Sequence, residues 1–269
     1  FPITAIREIK ILRRLNHPNI VNLREIVTDK QDATEFRKDK GAFYLVFEYM
    51  DHDLMGLLES GMVHFAEEHI ASFMKQLLEG LRYCHQQNFL HRDIKCSNIL
   101  MNNRGQIKLA DFGLARLYQK EERYGPAIDV WSCGCILGEL FTKKPIFQAN
   151  EEMAQLELIS RTCGTPCPGN WPDVIKLRLF HTLKPKRQYR RRLREEYAFL
   201  PKPALDLMDH MLELDPAKRC TCTRPWSQPG SRTSTSTASH PQTCHMTRIA
   251  MSCGARRGRR SYENRRPRV

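Results

Sequence analysis

No apolar run among these 269 residues approaches the roughly 20 needed to cross a bilayer; the longest, such as Phe43 to Phe47 and Val130 to Leu140, are far shorter. No charged-then-apolar leader opens the sequence either, so a chain without membrane contact, working inside the cell, is expected. Finger-like spacing is missing from the ten cysteines: Cys133-x-Cys135, Cys163-x-x-x-Cys167 and Cys220-x-Cys222 do not combine into a zinc-binding set. They are scattered, five of them between 84 and 163 in apolar or motif-bearing segments, which points to reduced thiols rather than a disulfide framework. Acids and aliphatics are scarce in the last fifty residues. Positions 220–269 hold ten arginines and one acid, Glu263, so most of the formal charge of +13 sits where nothing can offset the entropy of folding. That tail is expected to be disordered and to touch nucleic acid only non-specifically; nucleic-acid binding by the remainder is not expected.

What is present is enough for one substantial core and a second small one: 41% of residues are hydrophobic and 27% charged. Ile3, Ile6, Ile9, Ile11, Leu12 and Leu15 follow helical spacing, closed by Asn16-His17-Pro18. Ile20 to Val27 and Ala42 to Tyr49 read as two paired antiparallel strands around a polar loop over 28–41. From Asp53 the period turns helical, through Leu54, Leu57 and Leu58, then Ile70, Phe73, Met74, Leu77, Leu78 and Leu81. Ile99 to Met101 and Ile107 to Leu109 read as a short hairpin, and Ile128 to Leu140, apolar nearly all round, as a helix buried in the centre. Further helices are expected over 150–162 and 203–214, and Lys184 to Arg194 as a solvated basic face in preference to a docking or nuclear-import patch.

Within this frame stand His91-Arg92-Asp93-Ile94-Lys95-Cys96-Ser97-Asn98 and, thirteen residues after Asn98, Asp111-Phe112-Gly113. The pair at this spacing is specific, and the sequence resembles the protein kinases. The chemistry accounts for the residue types. Asp93 can accept the proton of a substrate hydroxyl, Lys95 can reach a transferred phosphate, and Asn98 and Asp111 supply hard oxygen ligands to the Mg2+ that accompanies ATP. Phe1-Pro2-Ile3-Thr4-Ala5-Ile6-Arg7-Glu8 is similar to the helix by which cyclin-dependent kinases meet their cyclins, with Glu8 in the place of the glutamate that pairs with an ATP-positioning lysine. The resemblance makes Phe47, Glu48, Tyr49 and Met50 the gatekeeper and adenine-binding hinge, Asp53 the pocket lip and Leu100 the adenine floor. It makes Asp129 the anchor of the catalytic loop, and Leu12, Leu23, His91 and Phe112 a stacked spine; Cys96 reads as a packing residue rather than a nucleophile.

Val27 to Asp32, Tyr49 to Leu58 and Lys95 to Asn98 are similar to the transcription-elongation members of that family, over about residues 1–219. The resemblance implies an α+β, protein-kinase-like fold with an incomplete N-terminal lobe over 1–50 and a mainly helical C-terminal lobe over 51–219, followed by the tail. It also implies a nuclear serine/threonine kinase that binds a cyclin of the K type through residues 1–15. Its substrate would be Ser/Thr-Pro sites such as the RNA polymerase II C-terminal repeats.

Three departures from the family pattern leave an alternative open, an inactive splice-type piece or a cyclin-binding decoy. The glycine-rich loop and strand lysine that precede the cyclin-contacting helix in kinases are not among these residues. Asp111 and Asp129 lie only eighteen positions apart, with no activating threonine and no Ala-Pro-Glu between them. Arg7, Arg92 and Arg116, similar to the clamp for an activating phosphate, and Arg219, similar to the partner of the missing glutamate, are therefore expected to be without that phosphate and that glutamate. After Arg219 the family pattern stops altogether.

Overall fold

The computed structural model describes residues 3–28, 43–118, 125–183, 185 and 187–220. The expected loop over 28–41 and the expected disorder of 220–269 fall almost wholly outside the described residues.

The first helix, α1 (Ile3–Leu12), turns its later apolar residues inward: Ile11, Leu12 and, just beyond it, Leu15 are buried, while Ile6 stays 38% exposed. Strands β1 (Leu23–Thr28) and β2 (Phe43–Phe47) pair antiparallel, with Val27 opposite Tyr44. Val27, Tyr44 and Val46 are exposed, so this small sheet keeps apolar surface in solvent. Backbone bonds join it to the body. Ile20 bridges Leu109 in parallel, Val21 N donates to Leu109 O, and Leu109 N to Asn19 O, both at 2.9 Å. The Asn19 side chain, buried in the same turn, donates to Ile107 O at 2.9 Å and to Gln76 Oε1 at 3.2 Å.

The larger body is helical. The dipeptide strand β3 (His52–Asp53) leads into α2 (Leu54–Ser60), capped by Asp53, whose Oδ1 accepts from Gly56 N at 2.8 Å. Helix α3 (Glu67–Gln86) opens on Glu67 and Glu68, which suit the positive end of its dipole, and buries Ile70, Phe73, Met74, Leu77 and Leu81 at helical spacing. Strand β4 (Phe89–Leu90) is followed by a 3-10 turn at Cys96–Asn98 and by β5 (Ile99–Met101) and β6 (Ile107–Leu109), the expected hairpin. Strand β7 (Arg116–Leu117) returns to pair with β4.

Helix α4 (Ala127–Thr142) is the central one, with Val130, Cys133, Ile136, Leu137 and Leu140 buried, and Lys143 closes it in the left-handed conformation. Two glycines let α7 (Lys202–Met211) approach it: a Cβ on Gly134 would meet Met211 Cβ at 2.8 Å, and one on Gly138 would meet Met208 Cε at 2.9 Å. Helices α5 (Glu152–Cys163) and α6 (Leu193–Glu196) complete the body.

The basic face expected over 184–194 is not simply solvated. Arg191 is half-buried, pairs with Asp209 at 2.6 Å and donates to the carbonyls of Cys163, Leu212 and Asp209, pinning the loop before α6 to α7. Arg190 pairs with Glu195, and Arg194 with Asp206 and Asp209. The seven described cysteines are all free thiols.

Candidate active site

A buried carboxylate organises the loop after β4. Asp129, in the first turn of α4, is 1% exposed and accepts three bonds. His85 Nε2 at 2.8 Å and His91 N at 3.0 Å reach Oδ2, and Arg92 N at 2.8 Å reaches Oδ1. The backbone bends sharply there, with Arg92 at φ 67, a region that costs a non-glycine residue about 1–2 kcal/mol. Asp129 holds that bend from both sides. His91 is fully buried, and burial lowers its pKa despite the nearby carboxylates. The partners fix its tautomer: Nε2 donates to Ala110 O at 3.0 Å, and Nδ1 accepts from Asp93 N at 3.3 Å. Its ring meets the edge of Phe112 at 4.8 Å.

The bend presents Asp93. Lys95 Nζ lies 2.9 Å from Asp93 Oδ2, and Asn98 Nδ2 donates to the same oxygen and to Asp93 O, both at 2.9 Å. Both side-chain bonds fall on Oδ2, and Oδ1 accepts none among the described residues. Because Asn98 spends its Nδ2 on Asp93, its Oδ1 remains available as a hard donor. Asn98 O accepts from Ala110 N at 2.9 Å, which ties the loop to Asp111-Phe112-Gly113. Asp111 is exposed and left-handed at φ 60, and its Oδ1 accepts from Gly113 N at 3.2 Å. Two oxygens of this kind suit Mg2+, whose preference is for hard ligands and retained water.

Four of the expected residues thus come together: Asp93, Lys95, Asn98 and, through the Asn98–Ala110 bond, Asp111. Glu8 joins them from α1. Its pKa is raised, first by burial and then by the negative charge of Asp111, against a backbone bond from Phe112 that favours the anion. Asp53 and Leu100 are register partners between β3 and β5, but the Asp53 carboxylate is occupied as the cap of α2. Phe47 pairs with Leu23 at the end of the small sheet. The Glu48 carboxylate turns inward, 2.9 Å from Lys108 Nζ and accepting from Asn22 N at 2.8 Å, while Tyr49 is 84% exposed and Met50 half-buried beside it. Leu12 and Phe112 belong to the buried core, and Leu23 packs against it.

Two of the arginines expected to be left without a phosphate or a glutamate have other partners. Arg219 is buried, donates to Ala127 O at 2.6 Å, Glu213 O at 2.9 Å and Leu214 O at 3.2 Å, and lies over the Trp131 ring at 5.1 Å; backbone oxygens and an aromatic face take the place of a carboxylate. Arg92 donates from Nε to Leu114 O at 2.7 Å. The Arg7 side chain lies outside the described residues. Arg116 is exposed and lines a cleft with Lys10 and Arg14. Cys96 is buried, and its thiol is pushed up by burial and hydrogen-bonds the Glu139 carboxylate, which fits packing and not nucleophilic chemistry.

Sequence reasoning missed His85 and Lys108. His85 lies four residues after Leu81 on the buried face of α3, a position where an imidazole needs an acid. Lys108 alternates with Ile107 and Leu109 in a strand buried on both faces, the signal that its ammonium must be paired.

The model of the protein kinase domain matches residues 2–124 and 120–229. The chain belongs to the protein kinase family. It is 71% identical over 245 residues to cyclin-dependent kinase 12 of Drosophila melanogaster, covering 82% of this chain and 21% of that protein. It is 51% identical over 275 residues to cyclin-dependent kinase 12 of Caenorhabditis elegans, covering 91% and 38%. The chain therefore spans between about a fifth and two fifths of these curated relatives. Among solved structures, the crystal structure of the yeast RNA Pol II CTD kinase CTDK-1 complex is similar at a TM-score of 0.76 and 35% identity, over 83% of this chain and 79% of that one. The α+β, protein-kinase-like fold stands on both comparisons. The two segments of the family match meet at 120–124, inside the shortened stretch between Asp111 and Asp129.

Proposed function

We propose that this chain is catalytic-domain sequence of a nuclear cyclin-dependent serine/threonine kinase that transfers the γ-phosphate of ATP to Ser/Thr-Pro sites such as the RNA polymerase II C-terminal repeats. The observation that carries the reading is the Asp93–Lys95–Asn98 cluster, presented by a bend that Asp129 holds and joined to Asp111. In this reading Asp93 accepts the substrate hydroxyl's proton at Oδ1. Lys95 holds Asp93 Oδ2 and offers positive charge to the phosphate. Asn98 and Asp111 would hold Mg2+, which neutralises phosphate charge when bound. Phe47, Glu48, Tyr49, Met50 and Leu100 would frame adenine, Asp53 would stand at the lip, and α1 within residues 1–15 would meet a K-type cyclin. The divisions 1–50, 51–219 and 220–269 follow the same reading.

One observation favours a second reading for the chain itself, a cyclin-holding piece that transfers no phosphate. Only eight positions separate Leu117 of β7 from Gly125, and the intervening Gln119-Lys120-Glu121-Glu122-Arg123-Tyr124 has no serine or threonine and no room for a peptide platform. Radiolabelled phosphate transfer to a Ser-Pro peptide, measured with K-type cyclin present, decides between them. Transfer that vanishes in Asp93→Asn supports the kinase reading. Cyclin capture without transfer supports the second, and neither capture nor transfer overturns both.

A further inference from the structure

Between α5 and α6 the chain builds a pocket that none of the catalytic residues enters. It has a volume of about 340 Å3 and is walled by Leu156, Pro166, Trp171, Val174, Phe180 and Leu183. Leu177 and Leu179 stand at its mouth, 46% and 49% exposed, and Ile175 beside them is 51% exposed. Contiguous apolar surface around a pocket marks a contact site on a soluble protein. No acidic side chain is among its described lining residues. Arg178, between the two mouth leucines, and Arg187, next to the lining residue Gln188, are exposed, and neither side chain has a partner among the described residues, whereas Lys176, Arg190, Arg191, Arg192 and Arg194 are each paired with acids.

We propose that this pocket docks an already phosphorylated Ser-Pro segment, the proline against Trp171 and Phe180 and the phosphate against Arg178 and Arg187. The inference rests on the proposed Ser/Thr-Pro substrate. Proline-rich segments seat in aromatic-lined grooves because their extended conformation is preformed and little entropy is lost on binding. Arginine pairs phosphate bidentately, so two free guanidinium groups beside an acid-free apolar pocket select phosphorylated over unphosphorylated segments. For a repetitive substrate the consequence is retention: a repeat that has left the catalytic loop as product holds the tail by the second site and raises the local concentration of its neighbours at the first.

The test is binding, so it does not depend on turnover. Fluorescence polarisation is measured for labelled peptides of two Ser-Pro repeats, unphosphorylated, phosphorylated, or with the serines replaced by glutamate and the prolines by alanine, against the 269-residue chain. The phosphorylated peptide is expected to bind about tenfold more tightly than the other two. Arg178→Glu with Arg187→Glu should remove that preference, Leu179→Asp should weaken the phosphorylated peptide by a similar factor, and Asp93→Asn should leave it unchanged. All these side chains are exposed except Asp93, and a melting temperature matched to the parent checks each fold. Equal binding of the acidic proline-free peptide would mean a general acidic contact and overturn the proposal. Loss of binding in Asp93→Asn would place the peptide at the catalytic loop and overturn it equally, as would no binding or indifference to the charge reversals. Failure of phosphate transfer alongside intact phosphopeptide docking would count against the kinase reading only.

Discussion

Replacing Asp129 by asparagine changes one buried oxygen into a donor, and the consequences can be followed atom by atom. The new side chain could keep its carbonyl toward Arg92 N, but its amide would then face His91 N–H, donor against donor, where Oδ2 accepted at 3.0 Å. An unsatisfied buried N–H costs about 1–3 kcal/mol, and losing the charge from the remaining bonds about 1 more, for a total of about 2–4 kcal/mol. His85 softens the loss only if its ring shifts tautomer so that Nε2 accepts. For a folded body of this size, about 2–4 °C is lost per kcal/mol, so the melting temperature should fall by about 5–15 °C. The strain at Arg92, φ 67, sharpens the effect: with the grip on one side weakened, the bend relaxes and Asp93 shifts with it. Differential scanning fluorimetry reads the first effect, and hydrogen exchange at the amides of residues 91 and 92 the second. A melting temperature within about 1 °C of the parent, with those two amides still protected, would refute the claim that Asp129 organises the loop.

Arg219→Met should cost about 2–4 kcal/mol by leaving the carbonyls of Glu213 and Leu214 unpaired, with Arg219→Lys restoring less than half; the denaturant midpoint shows it, and equal midpoints for Lys and Arg would contradict the fork-shaped role. Gly134→Ala should cost about 1–3 kcal/mol by pressing α4 against Met211 and Leu212, whereas Leu177→Ser, on the surface, should stay within about 0.5 kcal/mol in the same titration. Glu8 has a folded pKa above its ordinary 4.5, so the native state holds the proton longer than the unfolded chain, and its contribution is fully present below pH 4.5 and lost as pH rises through the folded value. Glu8→Gln should therefore melt higher than the parent near neutral pH and converge with it in acid. His91, shifted down by burial, acts with the opposite slope in both proteins, so the difference between them isolates Glu8. A variant that melts lower at neutral pH would show that the ionised Glu8 stabilises α1.

The helices were legible because their apolar periods are long: α3 buries Ile70, Phe73, Met74, Leu77 and Leu81, as the spacing alone predicts. The hairpin of β5 and β6 was legible from the turn at Asn102 to Gly105, and the segment that presents Asp93 stood out by its spacing to Asp111. Side-chain destinations were not. Glu48 could be placed in the hinge by resemblance, but its turn inward to Lys108 depends on a strand from elsewhere in the chain. Arg219 read as the partner of a missing glutamate and Arg191 as part of a basic face, because the backbone carbonyls that hold Arg219 have no letter in the sequence and the Asp209 that pairs with Arg191 lies eighteen positions away. The capping role of Asp53 was readable in principle, since an aspartate directly before Leu54-Met55-Gly56 is a favoured N-cap.

The described contacts that shape the loop carrying Asp93 lie on either side of positions 119–124 in the chain. β4 and β7 pair on one side of that stretch, and Tyr118 N closes onto Asn88 O. On the other side α4 begins with Ala127 held by Arg219 and, one half-turn later, offers Asp129 to the bend. Among the described residues, the bonds that fix Asp129, Asp93 and Asn98 come from α3, α4 or the 88–118 segment, and Glu8 of α1 stands beside Asp111. The shortened stretch therefore separates two properties that are one in a longer kinase segment. On the proposed reading, the Asp93, Lys95 and Asn98 cluster is held by contacts outside that stretch, while positions 119–124 offer too few residues for a surface that would present a peptide to it.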